Sequence, residues 1–295
     1  MAEGAGLMIW LMGAKGMLGQ EIAGKFEEKG LAFTATDRET DITNLQILRD
    51  FTTGKGISWI VNCSAYTAVD KAEEEKDLAY LINETGVKNI GIVAAELNVP
   101  VIHVSTDYVF PGTKDEALTE EEPTGPESVY GESKLAGEKA LLKENPCSFI
   151  IRTAWLYGKM GNNFVYTMLR LMKDRDSLKI VDDQIGSPTW TGDLADLMVK
   201  VIVSDSKNYG IYHFSGEGQT SWYGFAKEIY RQGQERGLLT KECSLNPCTS
   251  DEYPTPAKRP AFSLLSKKKV KDTFGMTVPS WEESLDSFLE KGIAE

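Results

Sequence analysis

Residues 13–19 read Gly13-Ala14-Lys15-Gly16-Met17-Leu18-Gly19 and follow directly on an apolar run, Leu7–Met12. Beyond them Leu18, Ile22 and Phe26 recur every four residues, and Gly30 stands as a helix stop. A short apolar run is a buried strand, and the four-residue spacing is one helical face. The glycines between let the backbone turn tightly and come close to a ligand, while the helix start offers free amides and a positive dipole end to a phosphate. The spacing is G-x-x-G-x-x-G, so its context carries the reading. Asp37 closes the next strand-like run, Ala32–Thr36, 18 residues after Gly19. In dinucleotide-binding units that position contacts the adenosine ribose.

The alternation continues. Trp59–Asn62, Val101–Ser105 and Phe149–Arg152 are further strands by length and β-branched or aromatic content, and Leu78, Leu81, Ile82, Ile90, Val93, Ala94 and Leu97 mark helical faces between two of them. Strand–helix–strand repetition implies right-handed crossovers and a parallel sheet, hence an α/β, Rossmann-type doubly wound fold. The second half is less regular. Helical patterns cover Phe164–Met172, Asp193–Val203, Trp222–Arg236 and Trp281–Lys291, and prolines at 247, 254, 256 and 260 punctuate a long loop region. The expected organisation is a nucleotide-binding domain over 1–152, with about 192–214 returning to it, and a smaller interleaved α/β substrate-binding portion over 153–295.

Composition narrows the function classes. Hydrophobic residues make up 41% and charged residues 26% of 295, which suits a folded, soluble chain. The net charge of −12 with no basic stripe argues against nucleic acid or an anionic membrane as partner. Glu73–Glu75 and Glu120–Glu122 are expected to be solvated surface. The apolar start is too short to span a membrane and lacks a signal peptide's basic flank, so a cytoplasmic address is expected. Cys243 and Cys248 fall in a polar loop with no further cysteine or histidine nearby, a poor zinc site, and His103 and His213 read as packed strand residues.

Chemistry concentrates at Tyr130-Gly131-Glu132-Ser133-Lys134. On a helix, positions i and i+4 share a face, so both side chains reach one ligand. A free phenol, with pKa near ~10, is a weak catalyst at neutral pH. A neighbouring ammonium is expected to stabilise the phenolate and lower that value. Twenty-four residues upstream of Tyr130, the fourth strand ends in Ser105-Thr106-Asp107-Tyr108-Val109-Phe110, placing a Thr106 hydroxyl where ligands meet an open parallel sheet.

Taken together, these motifs resemble the extended short-chain dehydrogenase/reductase family. Within it the chain is similar almost from end to end to the dTDP-4-dehydrorhamnose reductases. The resemblance is carried by Asn62–Glu73, Arg152–Gly158, Gly161–Val165, Asp183–Thr189 and Arg259-Pro260. It implies Thr106, Tyr130 and Lys134 as the catalytic triad. Gly13, Lys15, Gly16, Met17, Leu18 and Gly19 would surround the cofactor pyrophosphate, Asp37 and Arg38 the adenosine ribose, Asp41 and Ile42 the adenine. Ala65, Tyr66 and Thr67 would lie along the cofactor's middle, and Lys134 on its nicotinamide ribose. Thr106, Asp107, Tyr130 and Trp155 would hold the sugar, and Arg259 the nucleotide diphosphate. The chain departs from the family at Phe262, where an asparagine is common, and at Ser266-Lys267. Some members dimerise around magnesium; Glu21 alone is read as surface, and no metal is assigned.

The implied reaction is reduction of a 4-keto group on a dTDP-linked 6-deoxyhexose by NADPH or NADH. Asp37 favours NADH, whereas Lys15 and Arg38 favour a 2′-phosphate, so dual use with NADPH modestly preferred is expected. The partner is then a small sugar nucleotide, and the protein a monomer or homodimer. Three alternative readings meet obstacles in the sequence. A 4,6-dehydratase wants Asp-Glu after the threonine, where this chain has Asp107-Tyr108. An epimerase wants a Cys/His acid–base pair. A non-catalytic subunit resembling the regulatory partner of methionine adenosyltransferase would lack the Tyr130/Lys134 pair.

Overall fold

The computed structural model describes residues 7–291. Six parallel strands form its central sheet: β1 (Ile9–Met12), β2 (Phe33–Thr36), β3 (Trp59–Asn62), β4 (Val101–Thr106), β5 (Ser148–Thr153) and the later strand Gly210–His213. Their spatial order, from the edge formed by Gly210–His213, is β5, β4, β3, β1 and β2. β1 therefore lies between β3 and β2, with Met12 opposite both Asn62 and Thr36. At this point the strand order reverses. The crossovers leave on opposite faces there, and a crevice opens beyond the carboxyl ends of the strands.

The alternation of side chains across β1 fills two cores. Ile9 and Leu11 face a cluster with Phe26 of α1 (Met17–Glu28), Phe149, Leu197 and Phe214. Trp10 and Met12 face Leu48, Ile60, Val87, Ile90 and Leu141. The helix Thr191–Val203 packs beside α1. A third core gathers Tyr157, Val165, Leu169, Phe225, Ile229, Leu285 and Phe288 from the second half. The sheet and the helical faces thus bear out the α/β, doubly wound expectation.

Three local features differ from the sequence expectations. Pro247 does not lie in a loop: Ser244–Cys248 is a strand paired in parallel with Ser177–Val181, Pro247 opposite Ile180. This pair is a two-stranded sheet on its own, so every strand has a free edge where a residue without N–H is tolerated. Cys243 and Cys248 are accordingly buried rather than in a polar loop. A helix not anticipated, Lys268–Phe274, ends at Gly275 with φ +57°. Between β3 and β4 the segment Leu81–Gly86 is a π-helix, joining Lys76–Tyr80 to Val87–Leu97. A π turn carries an extra residue and rotates the face that follows. Leu78, ahead of the π turn, and Leu81, at its start, were expected on a helical face but are exposed, and Leu78 lines a cleft instead. Among the described residues no helix is long and apolar enough to cross a membrane.

Candidate active site

The glycine turn is built for close approach. Gly13 has φ +72°, and a Cβ there would lie 2.8 Å from the Ser64 amide nitrogen. A Cβ on Gly19 would lie 2.2 Å from the Gly13 carbonyl oxygen, so α1 starts tightly against the turn. Gly16 caps α1 without any side-chain hydrogen bond, which leaves the first amides to a ligand. In front of this turn runs a cleft of about 940 Å³. Gly13, Lys15, Gly16, Asp37, Arg38, Asp41, Ile42, Ala65, Tyr66 and Thr67 all line it. Met17, Leu18 and Gly19 are not among its lining residues: Leu18 points into the core, and Met17 lies against Gly158. A shape of this size, with an amide-lined glycine turn at one end and a carboxylate after β2, fits a dinucleotide.

Asp37 accepts from the backbone amides of Lys15 and Arg38, both at 2.9 Å, and so ties β2 to the glycine turn. Glu39, which the sequence did not mark, accepts from the Asp37 amide at 2.8 Å and sits 3.3 Å from the Lys15 ammonium. Backbone amides, those of Glu39 and Asp37, hold the Glu39 carboxyl below its ordinary range. The Lys15 charge is therefore shared with a carboxylate, a pairing that the sequence expectation for a 2′-phosphate had not included.

Deeper in, the Tyr130/Lys134 helix, Val129–Glu144, begins at Ser128, whose hydroxyl accepts from the Gly131 amide. Glu73, exposed at the surface as expected, also accepts from the Val129 amide at 2.9 Å and so caps this helix. Glu120 likewise accepts from the His213 amide and is partly buried. The helix crosses the π turn closely enough that a Cβ on Gly137 would stand 1.9 Å from the Asn83 carbonyl oxygen. Asn83 in turn accepts from the Tyr66 amide at 2.9 Å and donates to the Ser133 hydroxyl at 3.0 Å. One asparagine thus links the cleft wall to the catalytic helix.

Thr106 ends β4 and caps a short 3-10 turn, accepting from the Tyr108 amide at 3.2 Å. Its hydroxyl donates to Asp107 at 3.1 Å, and the Tyr130 ring packs edge-on against Tyr108, with centroids 5.4 Å apart. Burial pushes the Tyr130 phenol up to about 12, against the pull of the Thr106 hydroxyl. The expected lowering by Lys134 is not what sets it. The Lys134 ammonium donates to the Val104 carbonyl at 2.7 Å and lies 3.5 Å from His103 Nε2. Burial lowers Lys134 to about 8, while Glu138 acts in the opposite direction.

Burial also raises Asp107 to about 6, despite hydrogen bonds from Ser263 and Thr106, and its Oδ2 has no partner. Ser263 leads on to Trp155: a Cβ on Gly186 would lie 3.0 Å from both the Ser263 hydroxyl and the Trp155 ring. Trp155 has φ +49°, a left-handed conformation costing a non-glycine residue roughly 1–2 kcal/mol. Strain of this kind persists where the surroundings over-determine it. Here Trp155 stacks on Trp222, with ring centroids 3.8 Å apart and planes 14° apart, and Trp222 Nε1 donates to Gln184. Arg259 spends its fork on Asp70, at 3.0 and 2.9 Å. The pair joins the short helix after β3, Val69–Ala72, to the segment near residue 260, close to Tyr108.

Asn83, Trp222, Ser263 and Asp70 are the site-building residues that motif reading passed over. Asp70 and Trp222 stand in or near visible motifs. Asn83 is hidden by the π turn, since no helical periodicity marks it.

A glycine turn at a switch point, a carboxylate after β2, and a Thr–Tyr–Lys cluster at the end of β4 define a nicotinamide-dependent oxidoreductase of the short-chain dehydrogenase/reductase class. The family model for the RmlD substrate binding domain matches residues 7–293. A dTDP-4-dehydrorhamnose reductase of Aggregatibacter actinomycetemcomitans is 42% identical over 93% of this chain and 96% of its own length. The crystal structure of a dTDP-4-dehydrorhamnose reductase from Clostridium acetobutylicum superposes with a TM-score of 0.91 at 44% identity, covering 96% of this chain and 99% of that one. The Bacillus anthracis enzyme, solved in complex with NADP, gives a TM-score of 0.91 at 36% identity over 97% and 99% of the two chains. The chain belongs to the RmlD family of dTDP-4-dehydrorhamnose reductases.

Proposed function

We propose that this protein reduces the C4 keto group of dTDP-4-dehydro-6-deoxy-L-mannose to give dTDP-L-rhamnose, with NADPH or NADH as reductant. The observation that carries the reading is the placement of Thr106 at the carboxyl end of β4, against the helix Val129–Glu144, on which Tyr130 and Lys134 stand one turn apart. A bound nicotinamide supplies the hydride. The residues do the rest. Tyr130, fully protonated at neutral pH because burial raises it, gives its proton to the oxygen as alkoxide character develops. Thr106 donates to the same oxygen and places charge stabilisation where charge forms. Lys134 holds the nicotinamide ribose and steadies the phenolate that Tyr130 leaves behind.

The glycine turn from Gly13 to Gly19 binds the pyrophosphate through its amides, with Lys15 at its rim. Asp37 and Arg38 bind the adenosine ribose; Asp41 and Ile42 border the adenine; Ala65, Tyr66 and Thr67 flank the middle of the cofactor. Asp107 and Trp155 orient the sugar, and Arg259, already aligned by Asp70, reaches the diphosphate. On this reading residues 1–152 with about 192–214 form the cofactor-binding domain, and the remainder of 153–295 the sugar-nucleotide portion. The protein acts in the cytoplasm as a monomer or homodimer. NADPH is modestly preferred, although Glu39 beside Lys15 works against that preference. The test is a substrate panel varying C4 stereochemistry and nucleotide base, with products identified by NMR. Reduction of another nucleotide's 4-keto sugar in preference to the dTDP-linked one would refute the substrate assignment.

A further inference from the structure

Behind Lys134 lies a buried polar chain that the reaction as described leaves without a task. Asn62 ends β3 and faces His103 of β4 across the sheet register. Both are 1% exposed, and Lys134 is 2% exposed. The Asn62 amide is oriented by its other end, because its Oδ1 accepts from the Ser64 backbone N–H at 2.9 Å. That leaves Nδ2, which only donates, 3.0 Å from His103 Nδ1. Nδ1 must then present its lone pair, and a neutral ring carries its proton on Nε2. Burial first, with Lys134 adding to it, holds His103 well below its ordinary value, so the ring is neutral. Its Nε2–H faces the Lys134 Nζ at 3.5 Å.

An N–H aimed at nitrogen is unfavourable towards an ammonium, which has no lone pair, and favourable towards an amine, which has one. We propose that His103 is a positioning residue for Lys134: fixed by Asn62 with its proton on Nε2, it holds the lysine nitrogen in place and stabilises its neutral amine form. The other groups acting on Lys134 are Cys63 after β3 and, on its own helix, Glu138, with Tyr130 one turn before it. Glu138 opposes His103 by favouring the ammonium, but its charge is already shared with Arg152 and the Ser105 hydroxyl. In turnover the phenolate of Tyr130 draws a proton from Nζ. The N–H bond breaks as the O–H bond forms, and the resulting amine accepts from His103 until solvent returns a proton. This last step rests on the proposed reductase reading; the tautomer and the lysine titration do not.

The test uses ligand-free protein. The chain holds two histidines, and the second, His213, faces the Leu118 carbonyl oxygen through Nδ1 at 3.0 Å and must carry its proton there. A spectrum of [¹⁵N]histidine-labelled protein should therefore show two neutral rings in opposite tautomers, with His103 protonated on Nε2. His103→Phe keeps the ring volume and removes the N–H. Followed by ¹³C NMR of labelled lysines, with Lys134→Arg for assignment, the Lys134 midpoint should rise by about one pH unit, a tenfold change in proton affinity. A His103 ring protonated on Nδ1, or on both nitrogens, overturns the proposal. So does a folded His103→Phe protein in which the Lys134 midpoint does not move. If His103→Phe fails to fold, the wild-type tautomer still decides. Failure of either measurement leaves the reductase assignment standing, because neither uses substrate or cofactor.

Discussion

Asp107 carries the site's clearest conflict between stability and use. Its carboxyl titrates near 6 in the fold, raised by burial from an ordinary value near ~4. A carboxyl raised on folding is penalised when ionised. The penalty is absent below about pH 4, grows between about 4 and 6, and is fully present above. Asp107→Asn should therefore raise unfolding stability by about 1–3 kcal/mol at pH 8, with the gain vanishing at pH 4. The same change should impair turnover, because a carboxylate facing the sugar is lost. Denaturant titrations at the two pH values check the first part; a gain independent of pH would show that the buried charge is not its source. Trp155 has a different signature. Its strained backbone and its stack on Trp222 fix the ring that the proposed function sets against the sugar. Trp155→Ala should raise the KM for the sugar nucleotide and leave cofactor affinity nearly unchanged, since Trp155 does not line the cofactor cleft. Equal weakening of both ligands would place Trp155 in the scaffold instead.

The helix Val129–Glu144 is held against the π turn by backbone approach as much as by side chains. Gly137→Ala would push a methyl group into the Asn83 carbonyl, from which neither backbone can easily retreat. We expect a loss of about 1–3 kcal/mol, the usual scale of overpacking. Cofactor affinity should weaken too, because Asn83 also fixes the Tyr66 amide on the cleft wall. Unchanged stability would mean that the two segments are not in contact. This junction also shows where sequence reading ends. Strands β1, β3, β4 and β5 were legible because each is a short run buried on both faces, β2, an edge strand with Ala35 exposed, because it follows the glycine turn and its helix, and the Tyr130/Lys134 spacing is a local helical fact. The π turn was not legible, since an inserted residue breaks the period by which helical faces are recognised. The pairing of Pro247 with Ile180 and of Asp70 with Arg259 depends on contacts between distant segments, to which local pattern is blind. His103 was seen correctly as a packed strand residue, yet its tautomer depends on Asn62 and Ser64, which only the register of β3 and β4 brings together.

Taken whole, the molecule has a cleft at the switch point of its sheet, and the proposed function sets a sugar-binding portion beside it in the second half of the chain. On the proposed reading the choice of cofactor is set where Lys15, Arg38 and Asp37 line the cleft and Glu39 pairs with Lys15. In a Lys15→Ala/Arg38→Ala double variant, kcat/KM with NADPH should fall much more than with NADH, since charge-assisted contacts to a 2′-phosphate are each worth roughly 1.5–3 kcal/mol. Parallel losses would remove both cations from the phosphate site. The central claim concerns the reacting atoms, and it is tested by product formation from dTDP-4-dehydro-6-deoxy-L-mannose and NADPH, in wild type and in Tyr130→Phe. Wild type should consume NADPH in step with the appearance of dTDP-L-rhamnose by NMR, and Tyr130→Phe should bind the cofactor yet turn over about 10²–10⁴-fold more slowly. No product from wild type, or near-normal turnover in Tyr130→Phe, would contradict the account.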